Sequence, residues 1–111
     1  RDVNGNFMKN SEIENILIKK CELLNLKNRA FTMFDNIFAQ NSENEIAEIF
    51  NGVNKEQLTI NFKNYSFTII ENKTSIKTRL DLFQNLDKKI GYYEIETDLE
   101  GEFLDEYLKL Y

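Results

Sequence analysis

Two periods divide the chain. From Ser11 to about Phe50 apolar residues return every three or four positions, as on a helix; from Leu58 onward they alternate with polar ones, as on a strand. The first helix opens at Ser11-Glu12-Ile13-Glu14, a capping box in which the serine hydroxyl accepts a first-turn amide while Glu14 reaches back. Ile13, Ile16, Leu17, Cys21 and Leu24 then make an apolar stripe, with Glu12, Asn15, Lys19 and Glu22 facing away. Asn25-Leu26-Lys27-Asn28 weakens this helix, because asparagine side chains compete for backbone hydrogen bonds. The next segment, with Phe31, Phe34 and Phe38 at i, i+3 and i+7, is either a second helix or the far arm of a kinked one. Ser42-Glu43-Asn44-Glu45 is another capping box, and Asn51-Gly52 ends the short helix it opens.

In the second half Leu58, Ile60 and Phe62 alternate with Thr59 and Asn61, and Lys63-Asn64 marks a hairpin turn before Tyr65, Phe67 and Ile69. After Glu71-Asn72-Lys73 a third strand puts Ile76, Leu80 and Leu82 on one face and Lys77, Arg79 and Asp81 on the other. A polar connection, Gln84 to Lys89, leads to a last hairpin, Ile90 to Tyr111. In its first arm Tyr93, Ile95 and Leu99 oppose Tyr92, Glu94, Glu96 and Asp98. Gly101 takes the positive-φ place in the turn. In its second arm Leu104, Leu108 and Leu110 oppose Phe103, Asp105, Tyr107 and Lys109. Phe103, Leu104, Tyr107, Leu108 and Tyr111 also fit a helical stripe, so strand and helix both stay open for 103–111. The expected fold class is α+β: N-terminal helices (about 11–51) packed on one face of an antiparallel four- to five-stranded β-meander (about 57–111). Residues 1–7 precede Met8, fit nothing that follows, and are read as a foreign or disordered tail ahead of a single domain, 8–111.

Composition narrows the function. A chain of 111 residues holds one core rather than two, and nine Phe with five Tyr predict an aromatic one. Charge is uneven. Residues 1–89 carry 13 Lys/Arg against 12 Asp/Glu, a net of +1, whereas 90–111 carry 1 against 7, a net of −6. Phosphate backbones and anionic membranes repel such a chain, so neither direct nucleic-acid nor membrane binding is expected. No apolar run has the length of a membrane span. Cys21 has no cysteine partner and reads as a small core residue of a reducing compartment.

The chain has no His, which removes the commonest general base and metal ligand. Ser11 and Ser42 read as helix caps rather than nucleophiles, and Lys77 and Arg79 as cross-strand partners of acids. Paired carboxylates for acid–base work need an enclosed cleft, which a terminal hairpin does not offer, so no enzyme activity, catalytic residue or cofactor is expected. Asp98-Leu99-Glu100-Gly101-Glu102 departs from a calcium loop, with glycine fourth instead of sixth and Lys109 at the twelfth place, so no metal is expected either. Two readings of the acidic hairpin remain: a solvated face, or a surface for a basic partner. For the second, the residues are Tyr92, Glu94, Glu96, Asp98, Glu100, Glu102, Phe103, Asp105, Glu106 and Tyr107, acids to steer encounter and aromatics to anchor. Carboxylates two apart on a strand stand roughly 6–7 Å from one another, near the spacing of nucleic-acid phosphates.

Gly91-Tyr92-Tyr93, the Asp98–Glu102 turn and Asp105-Glu106-Tyr107-Leu108 resemble the immunity proteins of bacterial contact-dependent growth inhibition and related polymorphic toxin systems. The resemblance covers about a fifth of the chain. It implies a cytoplasmic, non-catalytic bacterial protein, monomer or weak homodimer, that covers the basic active cleft of one cognate toxin domain, often a nuclease. The alternatives are an acidic DNA mimic from a phage or mobile element, and a regulatory or structural homodimer paired through an edge strand.

Overall fold

In a computed structural model, residues 10–111 are described; the tail reading of 1–7 lies outside them. Three helices, α1 (Asn10–Leu23), α2 (Leu26–Gln40) and α3 (Glu43–Ile49), precede four strands: β1 (Leu58–Ile70), β2 (Lys73–Gln84), β3 (Lys88–Asp98) and β4 (Phe103–Leu110). The strands form one antiparallel sheet in the order β1-β2-β3-β4, the α+β meander expected.

The helix boundaries follow local chemistry. Asn25 takes the left-handed conformation (φ 56°), which asparagine tolerates better than most residues, and splits α1 from α2. At α3 the second capping box is complete: Ser42 Oγ accepts from the Glu45 amide at 3.2 Å, and Glu45 Oε1 accepts from the Ser42 amide at 2.7 Å. Asn51 and Gly52 both have positive φ, and the Gly52 amide closes back on the Ala47 carbonyl at 2.7 Å. The first capping box is displaced, since α1 is already helical at Asn10 and Ser11 lies inside its first turn.

The hairpin turn expected at Lys63-Asn64 does not exist. β1 runs unbroken through it, with a bulge between Phe62 and Asn64. Ile60 and Phe62 before the bulge and Tyr65 and Phe67 after it all face the helices, because the one extra residue shifts the alternation by one. A turn and a bulge leave the same parity break in a sequence; here it is a bulge. The true β1–β2 turn is Glu71-Asn72, both left-handed (φ 52° and 66°), as a two-residue hairpin loop requires.

α2 lays Leu26, Ala30 and Phe34 against the middle of the sheet. With Phe50, Leu80, Leu82, Tyr93 and Ile95, Ala30 and Phe34 form the main core. Phe34 meets Phe38, Phe50 and Tyr93 edge to face at 5.4–5.9 Å, and Phe38 stacks on Phe50 at 5.1 Å. A smaller cluster, Cys21, Leu26 and Ile76, buries the lone cysteine as expected. The N-terminal part of the α1 stripe is left open: Ile13 and Ile16 are exposed, whereas Leu17 is half-buried and Leu24 packs against the smaller cluster.

Candidate interaction surface

With α1, α2 and α3 on one side, no element among the described residues covers the other side of the sheet, and the register sets its side chains in rows. Asn61, Asp81, Tyr92 and Lys109 make one row; Asn64, Arg79, Glu94 and Tyr107 the next; Ser66, Lys77, Glu96 and Asp105 the third. Acids therefore stand beside bases. Arg79 Nε donates to Glu94 Oε2 at 2.8 Å while its guanidinium lies 3.7 Å from the centre of the Tyr92 ring. Burial opposes the Arg79 charge, but the hydrogen bond and charge of Glu94 outweigh it and hold the guanidinium protonated more firmly than usual. Lys77 sits over the Tyr107 ring at 5.3 Å. Lys89 Nζ stands 3.3 Å from Asp81 Oδ1, near enough to compensate its charge but without hydrogen-bond geometry.

The ten residues proposed from the sequence do not share one surface. Glu94 is 4 % exposed and engaged by Arg79, so it holds the sheet together rather than facing a partner. Asp98 Oδ1 accepts the amides of Glu100 and Glu102, both at 2.9 Å, and shapes the turn. Glu96 accepts the Tyr107 hydroxyl at 2.8 Å; the Ser75 and Tyr107 hydroxyls together hold its carboxyl below the usual range. In return the Tyr107 phenol is pushed up to about 12. Glu106 lies on the helix side, opposite Ile95, and takes the Tyr93 hydroxyl at 3.2 Å. Burial, then the Glu106 charge, raises the Tyr93 phenol well above its ordinary value.

Phe103 was expected beside Asp105 and Tyr107. It lies opposite Thr97, on the helix side, because a second bulge between Glu96 and Thr97 interrupts the β3–β4 ladder. The extra residue of that bulge is Leu104, which the sequence had placed with Leu108 and Leu110 and which instead joins the acidic side. Segment 103–110 is a strand, not a helix.

The bulge completes a hollow that no single stretch of sequence reveals. The β1–β2 and β3–β4 turns stand at the same end of the meander, and between them opens a hollow of about 670 Å³. Ile70, Leu99 and Leu104 supply its apolar lining, and Glu71, Glu96, Asp98 and Glu100 its acids, with Lys73 the one base among the described lining residues. The β3–β4 turn is anchored from behind, where Arg29 of α2 donates to the Gly101 carbonyl at 2.7 Å. Gly101 has φ +87°, and a Cβ there would stand 3.0 Å from Leu24 and 3.2 Å from the Arg29 guanidinium. Among the described residues no group of three or more carboxylates or thiols is disposed to hold a metal ion, and no helix is long and apolar enough to cross a membrane. No protein-family model, no curated protein and no solved structure matches the chain.

Proposed function

We propose that this is a non-catalytic binding protein whose hairpin end receives a basic protein, and that the partner is a bacterial toxin domain, a nuclease among the candidates, which the chain neutralises by covering its basic cleft. The observation that carries the reading is the hollow, where four carboxylates surround exposed Ile70 and Leu104. Acids of this kind steer a cationic partner into place, and the apolar lining offers contact for the stem of an inserted lysine or arginine. The resemblance of the β3–β4 segment to immunity proteins supplies the class of partner and, with it, action in the bacterial cytoplasm.

A DNA mimic needs Glu94, Glu96 and Asp98 free as a phosphate-like row. Burial of Glu94 and the turn-capping role of Asp98 count against that alternative. For the same reason the test should not reverse Glu94. Glu100 and Glu102 are exposed turn residues whose side chains can be changed with little risk to the fold. Purification of the chain from cells carrying its native gene neighbourhood should bring down one basic protein with toxin activity. Glu100→Lys/Glu102→Lys should then weaken that complex by roughly 10–100-fold, most strongly at low salt. Retention of full affinity, or recovery of unrelated DNA-binding proteins instead, would overturn the assignment.

A further inference from the structure

β4 is an edge strand, and its outward side fits a second copy of itself. The Tyr111 amide donates to the Ile90 carbonyl across the ladder at 2.9 Å. Backbone groups alternate along a strand, so those of Lys109, Tyr107 and Asp105 also point toward β3, and those of Glu106 and Leu108 point away from it. An antiparallel partner centred on Tyr107 would meet those outward groups in register, each Glu106 exchanging both amide–carbonyl bonds with Leu108 of the other copy. In the single chain Asp105 Oδ1 accepts the Glu106 amide at 2.8 Å, and pairing would release that carboxylate toward Lys109 of the second copy.

The side chains fit the same register. On the open face Asp105 meets Lys109 of the second copy, twice by symmetry, with the two Tyr107 rings at the axis. Among the described residues neither Asp105 nor Lys109 has an ionic partner within the chain; the two ion pairs found are Arg79–Glu94 and Lys89–Asp81. Moving the axis by one residue either way sets Asp105 opposite a Tyr and Lys109 opposite Phe103 or Tyr107, which removes both ion pairs. β1, the other edge, carries its bulge at Lys63 in mid-strand, a feature that opposes flat pairing. On the β4 side the bulge at Leu104 lies outside Asp105–Lys109 and bounds the paired stretch.

We infer that β4 pairs with β4 of a second copy about a two-fold axis at Tyr107, joining two four-stranded sheets into one. The inference is independent of the toxin-binding reading, since it concerns self-association in the absence of any partner.

Sedimentation of the full chain across a dilution series tests it. Wild type should show a reversible monomer–dimer equilibrium. Asp105→Lys places like charges opposite each other twice and should raise the dimer dissociation constant by roughly 10–100-fold. The exchange variant Asp105→Lys/Lys109→Asp rebuilds both pairs in reverse and should restore association, and Lys109→Asp alone tests the same contact should Asp105→Lys not fold. A wild type that stays monomeric throughout, an Asp105→Lys variant that dimerises as tightly as wild type, or a folded exchange variant that stays dissociated would each overturn the inference.

Discussion

Arg79→Met is the most informative single change in the sheet. It keeps an unbranched stem against Tyr92 but removes the charge that answers Glu94, whose side chain is 6 % exposed. Removing one partner of a fully buried ion pair typically destabilises by about 3–5 kcal/mol. Arg79 is itself 32 % exposed, so water screens the pair in part, and a loss of roughly 2–3 kcal/mol is expected, including about 0.5–1 kcal/mol from the cation–π contact. Glu94→Gln should be milder, because the charge it leaves unpaired, Arg79, is 32 % exposed and water can solvate it. Arg79→Met/Glu94→Gln removes both charges and should be more stable than the sum of its single changes predicts, by about 1–2 kcal/mol. Urea unfolding followed by circular dichroism gives all the values in one double-mutant cycle. A loss below about 0.5 kcal/mol for Arg79→Met, or strict additivity in the cycle, would mean that Glu94 is not held as the structure shows it.

Other changes probe the turns and the titrating pair. Gly101→Ala must adopt φ +87° and crowd Leu24 and Arg29, so a loss of about 1–2 kcal/mol is expected in thermal unfolding. Leu86, exposed in the β2–β3 turn at φ 76°, is strained for a branched side chain; Leu86→Gly should stabilise by about 0.5–1 kcal/mol in the same assay, the relief of strain exceeding the added freedom of the unfolded chain. Glu96 has its folded pKa lowered, so its contribution to stability is present above the ordinary carboxylate range and is lost as pH falls through the lowered value. Tyr107→Phe should move the Glu96 pKa upward in an NMR titration, though not fully to normal because the Ser75 hydroxyl remains. Tyr107 has the opposite sign: its contribution is whole below the ordinary tyrosine pKa and is lost as pH rises through about 12, which ultraviolet titration of the phenols reads directly.

Much of this fold is written in local chemistry. Ser42 and Glu45 cap a helix whatever surrounds them, Asn51-Gly52 ends it, and Gly101 occupies a turn that other residues enter only under strain. The second and third strands show their buried faces through alternation alone. What stayed hidden depends on partners that sequence spacing does not name. The bulge at Lys63 mimics a turn because both break parity, and only the continuous pairing of β1 with β2 separates them. The bulge at Leu104 exchanges it with Phe103 for the same reason. The α1 stripe shows which side is apolar but not whether anything covers it, and Ile13 and Ile16 are left exposed.

The acidic row was the strongest functional signal in the sequence, and the structure redistributes it. Glu94 became a structural residue once β2 placed Arg79 across from it. Glu71 and Ile70, distant in sequence from the last hairpin, joined the hollow because a meander returns alternate turns to the same end. Such a juxtaposition is a property of strand order, and no periodicity encodes it.

Hydrogen–deuterium exchange of the chain, free and bound to the protein recovered with it, tests the docking surface most directly. The amides from Ile70 to Lys73 and from Asp98 to Leu104 should gain protection on binding while those of α1 stay unchanged. Protection confined to the helices, with both turns exchanging as freely as in the unbound chain, would contradict the role given to the hollow.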